Sequence, residues 1–238
     1  MTKLRQAITD YAMIENGDKV AVGVSGGKDS LALAEALNKY RKRGPLKFEL
    51  IVVHLKMGFP GFDIKPVQDF FRTEGVEFIA WETEIFSILT KNRNNDGSLK
   101  CSLCSKFKKA LVIQAAQAFN CNKVAFAHHG DDAIETLFLN AIFGGRIATF
   151  RPKMYLSETA MEFIRPFIYL RESEISNYAR QQALPIIPSA CPNDGFTKRA
   201  EIKELLNEIY RKYPEAYHNF LIMLANNDKL DLWQKETD

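Results

Sequence analysis

The sequence predicts an α/β protein, a doubly wound parallel sheet with helices packed on it after the last strand. Three observations predict it. Apolar, β-branched runs of strand length (20–24 and 48–55) alternate with amphipathic helical stretches, the pattern of βαβ units. The first of these strands passes through Ser25-Gly26-Gly27 straight into a helix. With 238 residues, 46% of them hydrophobic and 26% charged, the chain is long and apolar enough to bury one large core.

In order, an amphipathic helix is predicted over 2–15 (Leu4, Ile8, Tyr11, Ala12), stopped by Asn16-Gly17-Asp18. Strand 20–24 and its helix follow, and Leu31, Leu33, Ala34 and Leu37 give that helix its apolar face. Arg41-Lys42-Arg43 before Gly44-Pro45 suits a helix C-terminus, where cations meet the negative end of the dipole. An RNA contact there is secondary. Strand 48–55 leads into a loop, 56–62, then a helix over 64–74 and a short strand at 77–80. Residues 92–97 are turn-rich. A helix over 101–119 opens with two cysteines, and strand 123–127 ends in His128-His129-Gly130-Asp131-Asp132. The next helix, 133–143, carries Ile134, Leu137, Phe138 and Ile142, and Gly144-Gly145-Arg146 ends it. Residues 153–156 and 162–164 read as a hairpin around 157–159. From 172 onward the pattern is helical, broken by a loop at 185–197 that holds Cys191. The expected organisation is one domain over 1–238: an N-terminal helix (1–15), an α/β core (16–170) and a helical part (171–238).

Composition excludes several classes. The formal charge of +3 is mildly basic, compatible with RNA without requiring it. No apolar leader core stands at the N-terminus and no apolar run reaches membrane-spanning length, so a soluble, cytoplasmic protein without a membrane partner is expected. In that compartment the four cysteines favour metal or catalytic roles over structural disulfides.

The strand–glycine–helix turn is a phosphate cradle. Backbone N–H groups at a helix start, with the positive end of its dipole, attract anions. Lys28 adds a full charge, and Ser25 and Ser30 add hydroxyls. Spacing excludes a Walker loop, because Val22 and Asp29 stand where it needs Gly and Ser or Thr. The dinucleotide fingerprint fails too, since Ser25 follows Gly23 at i+2. What remains, SGGKDS, resembles the PP-loop of N-type ATP pyrophosphatases. That resemblance implies ATP cleaved between the α and β phosphates, with Asp29 placed to help hold Mg²⁺.

Cys101 and Cys104, at i and i+3 of a helix start, can face one way. A bare CxxC leaves redox chemistry, half a zinc site, cluster ligation and plain packing open, while the lack of a second CxxC excludes a Cys₄ ribbon. Cys121 reads as buried and inert. Cys191, before Pro192, is either a harmless loop thiol or a residue returning to a site. Of Asp131 and Asp132, one is expected to cap the helix and the other is free for acid, base or Mg²⁺ work. The histidines are metal ligands or, more simply, polar core or rim groups.

Taken together, SGGKDS, CSLCSKFKKA, AHHGDDAIETLFLNAIFGG, Arg165-Pro166-Phe167 and PIIPSACP resemble, in order, the tRNA 2-thiocytidine synthetase (TtcA) family over about 11–199. The resemblance implies a PP-loop fold (adenine nucleotide alpha hydrolase-like) and adenylation of a cytidine C2 oxygen in the tRNA anticodon loop. Sulfur then replaces that oxygen by means of a [4Fe–4S] cluster. By position it implies ATP phosphates and Mg²⁺ on Ser25, Gly26, Gly27, Lys28, Asp29 and Ser30. It also implies cluster ligation by Cys101, Cys104 and Cys191, and catalytic roles for Lys108 and Asp132. Its implied partners are tRNA, a sulfur donor (a cysteine desulfurase or free sulfide) and, as an open option, a second copy of the chain. Lys106, Lys108, Lys109, Arg146, Arg151 and Arg165 are expected to flank the RNA. The sequence departs from the family at Ser189, where a further cysteine is expected nearby, and at Lys56, where an acid is expected. The readings set against it are a PP-loop ligase delivering nitrogen and a non-catalytic sensor of ATP and redox state.

Overall fold

The computed structural model describes residues 1–59, 61–94, 97–191 and 198–226. The chain divides into two compact units, Met1–Asp131 with Arg151–Thr197 and Asp132–Phe150 with Lys198–Asp238. The first unit holds a six-stranded sheet of β1 (Lys19–Gly23), β2 (Glu49–Lys56), β3 (Glu77–Glu82), β4 (Lys123–Ala125), β5 (Lys153–Leu156) and β6 (Met161–Ile164). Spatial order is β3-β2-β1-β4-β6-β5, and every pairing is parallel except β5 with β6. The central strands β1, β2 and β4 are buried along nearly their whole length, which is why they read as unbroken apolar runs. Strand order reverses at β1: the chain goes from β1 to β2 on one side, while β4 pairs on the other. Connections leaving the carboxyl ends of β1 and β4 therefore diverge and open a crevice there.

The helices are α1 (Thr2–Asp10), α2 (Lys28–Arg43), α3 (Lys65–Thr73), α4 (Ile85–Lys91), α5 (Cys101–Ala118), α6 (Gly130–Gly144), α7 (Glu172–Gln181), α8 (Lys198–Lys212) and α9 (Ala216–Ala225). Helix α2 is buried from Ser30 through Asn38. Its basic end is structural: Lys42 reaches the Glu74 carboxylate at 3.0 Å, and Arg41 donates to Asn38 and to the Gly75 carbonyl. Helix α7 packs along α2. Between them the Tyr178 hydroxyl donates to Glu35, a carboxylate only 4% exposed that also takes Lys39 at 2.6 Å. In the second unit Ile134 of α6, Ile202 and Leu206 of α8 and Tyr217 of α9 form a separate small core, with Phe138 edge-on to Phe220.

Most predicted elements are present with ends shifted by a few residues. Three differences have physical causes. Helix α1 stops at Asp10 instead of 15 because Ala12 turns left-handed (φ +43°), and Met13 N–H closes back on the Ile8 carbonyl. Helix α4 was not read; its seven residues offer only Ile85 and Leu89 as buried positions, too short a repeat to show. Ile142, expected on an apolar face, is 51% exposed beyond the second unit's core. The turn-rich 92–97 stretch is described except for 95 and 96, and the Cys191 loop only as far as 191. Among the described residues no helix is long and apolar enough to cross a membrane.

At the amino edge of the sheet, Lys123 is buried (3% side-chain exposure) against Asp18 at 3.3 Å and against Glu162. Lys153 holds the other Glu162 oxygen at 3.1 Å. Burial alone raises the Glu162 pKa, but the two lysines outweigh it and the net direction is down. A lowered carboxylate pKa contributes stability above its unfolded value, lost as pH falls through the folded one. Lys123→Ala leaves two carboxylates without their buried cation and is expected to cost about 3–5 kcal/mol at neutral pH. In urea denaturation the gap to wild type should shrink as pH falls below the ordinary carboxylate range. A constant gap would mean that lost packing, not charge, sets the effect.

Candidate active site

The carboxyl end of β1 is held open by its neighbours. Val24 N–H bonds to Val53 of β2, and the Val24 carbonyl lies 2.9 Å from Nδ1 of the buried His54. A carbonyl only accepts, so Nδ1 carries the proton. Burial lowers the His54 pKa, ahead of the opposing Val24 bond, and keeps the ring neutral; it stacks on Phe62 at 5.6 Å. Gly26 then turns at φ +92°, a conformation that favours glycine, and a Cβ there would meet Phe62 at 3.1 Å and Ile187 at 3.4 Å. Gly27 is the N-cap of α2 and has no side-chain cap. Inside the turn Ser30 Oγ accepts from Ser25 N–H at 3.1 Å, donates to the Gly27 carbonyl at 3.0 Å and lies 3.2 Å from Ser25 Oγ. The two hydroxyls thus brace the loop that presents the backbone N–H groups.

Lys28 stands at the first turn of α2, its ammonium 3.0 Å from Asp29 and 2.9 Å from Glu172 of α7. Burial pulls the Lys28 pKa down, but Glu172 and Asp29 outweigh it and the net direction is up. The second Asp29 oxygen is buried with no hydrogen-bond partner among the described residues. A carboxylate oxygen left so is costly, and a cation is the ligand that would satisfy it, so Asp29 fits Mg²⁺.

From the carboxyl end of β4 comes His129, buried, with Nδ1 3.6 Å from Asp131. The same Asp131 oxygen accepts Glu172 N–H at 2.8 Å, and Arg171 lies 3.6 Å from the other. Asp131 is thus a cap for the following helix α7, not for its own helix as the sequence suggested. Asp132, in the second unit, holds Arg199 at 2.9 Å.

Cys101 and Cys104 occupy the first turn of α5, the former exposed and the latter half-buried, while Cys121 is buried in the core with its pKa raised to about 11, chiefly by burial. Burial also raises the Cys104 pKa; Lys108 opposes this, and the charges of Cys191 and Cys101 add to it. Cys104 therefore lies within electrostatic reach of Lys108 and both other thiols. The third thiol is brought by the segment after α7: Ile187 N–H bonds to the Gly26 carbonyl at 3.0 Å, seating that segment on the cradle. Ser189 Oγ accepts the Cys191 N–H at 3.2 Å. An all-sulfur donor set on a helix start fits a soft metal or an iron–sulfur cluster. Among the described residues, though, no three His, Cys, Asp or Glu side chains stand together at metal-ligand spacing. The charges of Cys101 and Cys191 act on Cys104, but the three thiols do not stand at ligand spacing.

Lys106 and Lys108 are exposed on α5, and Arg151 is exposed after α6. Lys109 places its ammonium 4.6 Å from the Phe163 ring centre, and Arg146 is held by Asn140. Arg165 overturns its expectation. It is 7% exposed, donates to the Arg151 carbonyl, and burial lowers its pKa to about 10, so it braces the segment and offers the RNA no surface. Lys56, the departure after β2, pairs with Glu82 across the β2–β3 register at 2.6 Å. Sequence reasoning missed His54, Glu172, Ile187 and Arg199. Glu172 was visible only as an acid in a helix's first turn, and nothing in the chain linked it to Lys28.

A family model described as PP-loop domain matches residues 1–209. The tRNA-cytidine(32) 2-sulfurtransferase of Cupriavidus taiwanensis is 37% identical over 222 residues, covering 93% of this chain and 72% of that protein. The enzyme of the same name from Geotalea uraniireducens is 36% identical over 226 residues, covering 94% and 89%. Among solved structures, the U34-tRNA thiolase NcsA from Methanococcus maripaludis, with its [4Fe-4S] cluster, covers 97% of this chain and 79% of its own at a TM-score of 0.76 and 22% identity. That likeness confirms the fold. The chain belongs to the PP-loop family and, within it, to the tRNA 2-thiocytidine synthetases.

Proposed function

We propose that the protein is an ATP-dependent tRNA sulfurtransferase that converts a cytidine of tRNA to 2-thiocytidine. The observation that carries this reading is the seating of the Cys191 segment on the phosphate cradle through Ile187 and Gly26. One stretch of chain thereby serves both the nucleotide and the thiols. The cytidine C2 oxygen attacks the α-phosphate, pyrophosphate leaves, and the base becomes an adenylated carbonyl. Sulfur then bonds to C2 and AMP departs with the original oxygen. The Gly26 and Lys28 N–H groups, the Ser25 hydroxyl and the Lys28 ammonium would hold the phosphates and stabilise charge on the departing pyrophosphate, with Gly27 and Ser30 shaping the loop. Asp29 would hold Mg²⁺. A [4Fe–4S] cluster on Cys101, Cys104 and Cys191 would supply, when bound, an iron without a protein thiolate at which sulfide is carried. Lys108 opposes the rise that burial causes in the Cys104 pKa without cancelling it, and we give it the catalytic role that its place in the family motif implies. We assign Asp132 the proton of the incoming hydrosulfide, on its place in the family motif. The sulfur comes as free sulfide, or from the persulfide of a cysteine desulfurase with a thiol reductant supplying the two electrons that bring it to sulfide.

Lys28→Ala should lower the rate of AMP and pyrophosphate formation about a hundredfold or more while leaving the fold intact. Asp132→Asn should keep ATP binding and lose thiolation. Release of ADP and phosphate by the wild type would refute the cradle's assignment, and full thiolation by Asp132→Asn would refute that residue's.

Because the thiols are not closed at ligand spacing, a persulfide relay is the rival to the cluster. Prepared anaerobically, a cluster protein should be brown, and Cys101→Ala, Cys104→Ala and Cys191→Ala should each bleach it while Cys121→Ala does not. A colourless preparation that still thiolates tRNA would establish the relay instead.

A further inference from the structure

We propose that Glu172 is a positioning residue for Lys28, an anion built into the fold that competes with the nucleotide's phosphate for the lysine ammonium. The inference rests on the reading of the SGGKDS turn as an ATP cradle.

The geometry sets Glu172 where it is, independently of Lys28. Its N–H is fixed by Asp131 at 2.8 Å, and its carbonyl accepts the Ser176 hydroxyl at 2.9 Å. The preceding residue is tied down as well: Arg171 N–H bonds to Glu174 at 2.8 Å and its guanidinium faces Asp131. Lys3 in turn holds Glu174 at 2.8 Å. Further along α7, Tyr178 is locked onto Glu35 of α2, the same helix whose first residue is Lys28. From this anchored turn the Glu172 carboxylate reaches Lys28 at 2.9 Å, a spot that a phosphate bound by the same ammonium must share or adjoin.

Both side chains of the pair are 29% exposed, so the ion pair adds little to folding stability. Its consequence falls on anion binding. A phosphate entering the cradle must draw Lys28 away from Glu172, or accept a like charge a few ångströms off; either weakens binding. Asp29 also contacts Lys28, but it follows directly in the chain and moves with the cradle, whereas Glu172 belongs to another helix. Ground-state ATP affinity is thereby held down.

The test is equilibrium binding to the full-length wild type, Glu172→Gln and Glu172→Asp. The probes are magnesium-free ATP, MgATP and inorganic tripolyphosphate. Glu172→Gln should bind ATP and tripolyphosphate about three- to tenfold more tightly, by similar factors because the competition is for charge. The gain should shrink at high salt. Glu172→Asp, one methylene shorter, should fall between the two, and it carries the test if the glutamine variant fails to fold. Unchanged or weaker binding of all three probes would overturn the proposal. Loss confined to MgATP would overturn it too, by making Glu172 a metal ligand. A wild type that binds neither ATP nor tripolyphosphate would refute the cradle itself, a failure distinct from these.

Discussion

One backbone hydrogen bond, from Ile187 N–H to the Gly26 carbonyl, ties the segment that leads to Cys191 onto the glycine turn. It is made from a left-handed turn at Gly26, φ +92°. It also requires the missing Cβ, whose place lies 3.1 Å from Phe62 and 3.4 Å from Ile187. A side chain at 26 would thus strain the loop's backbone and crowd Phe62 with one change. The second glycine of SGG differs: Gly27 has ordinary extended dihedrals, and among the described residues only Ser25 lies near its Cβ position.

Around that bond the crevice is organised by charge held in the sheet and in α7. Asp131 leaves β4 and caps α7 through Glu172, which sets Glu172 against Lys28 of α2, while Tyr178 and Glu35 bind α7 to α2 a few turns on. The helix after the last strand is therefore held against the glycine turn at the end of β1. Its position follows from the parallel sheet, whose strand order reverses at β1 and brings the ends of β1 and β4 to the same edge.

Much of this was legible in the chain because the signals were local. The cradle could be read from Val20 to Ser30, since a buried strand, two glycines and a lysine at a helix start leave few alternatives. Cys121 was legible as inert because it enters a strand, and it is buried there. What the sequence could not show were contacts made at long separation. Glu172 lies 144 residues from Lys28, and Arg199 lies 67 from Asp132. Arg165 was misplaced for a related reason: an arginine after a strand looks solvent-facing until the Arg151 carbonyl that buries it is known. The capping of α7 by Asp131 was hidden similarly, since sequence assigns a cap to the nearest helix.

The central claim is that cradle and thiols serve one reaction on one base. It is tested most directly by following the displaced oxygen. With tRNA carrying ¹⁸O at the C2 carbonyl of the target cytidine, and with ATP and sulfide under anaerobic conditions, each sulfur inserted should yield one AMP bearing one ¹⁸O in its phosphate. Thiolated tRNA accompanied by unlabelled AMP, or formed without ATP, would contradict the account.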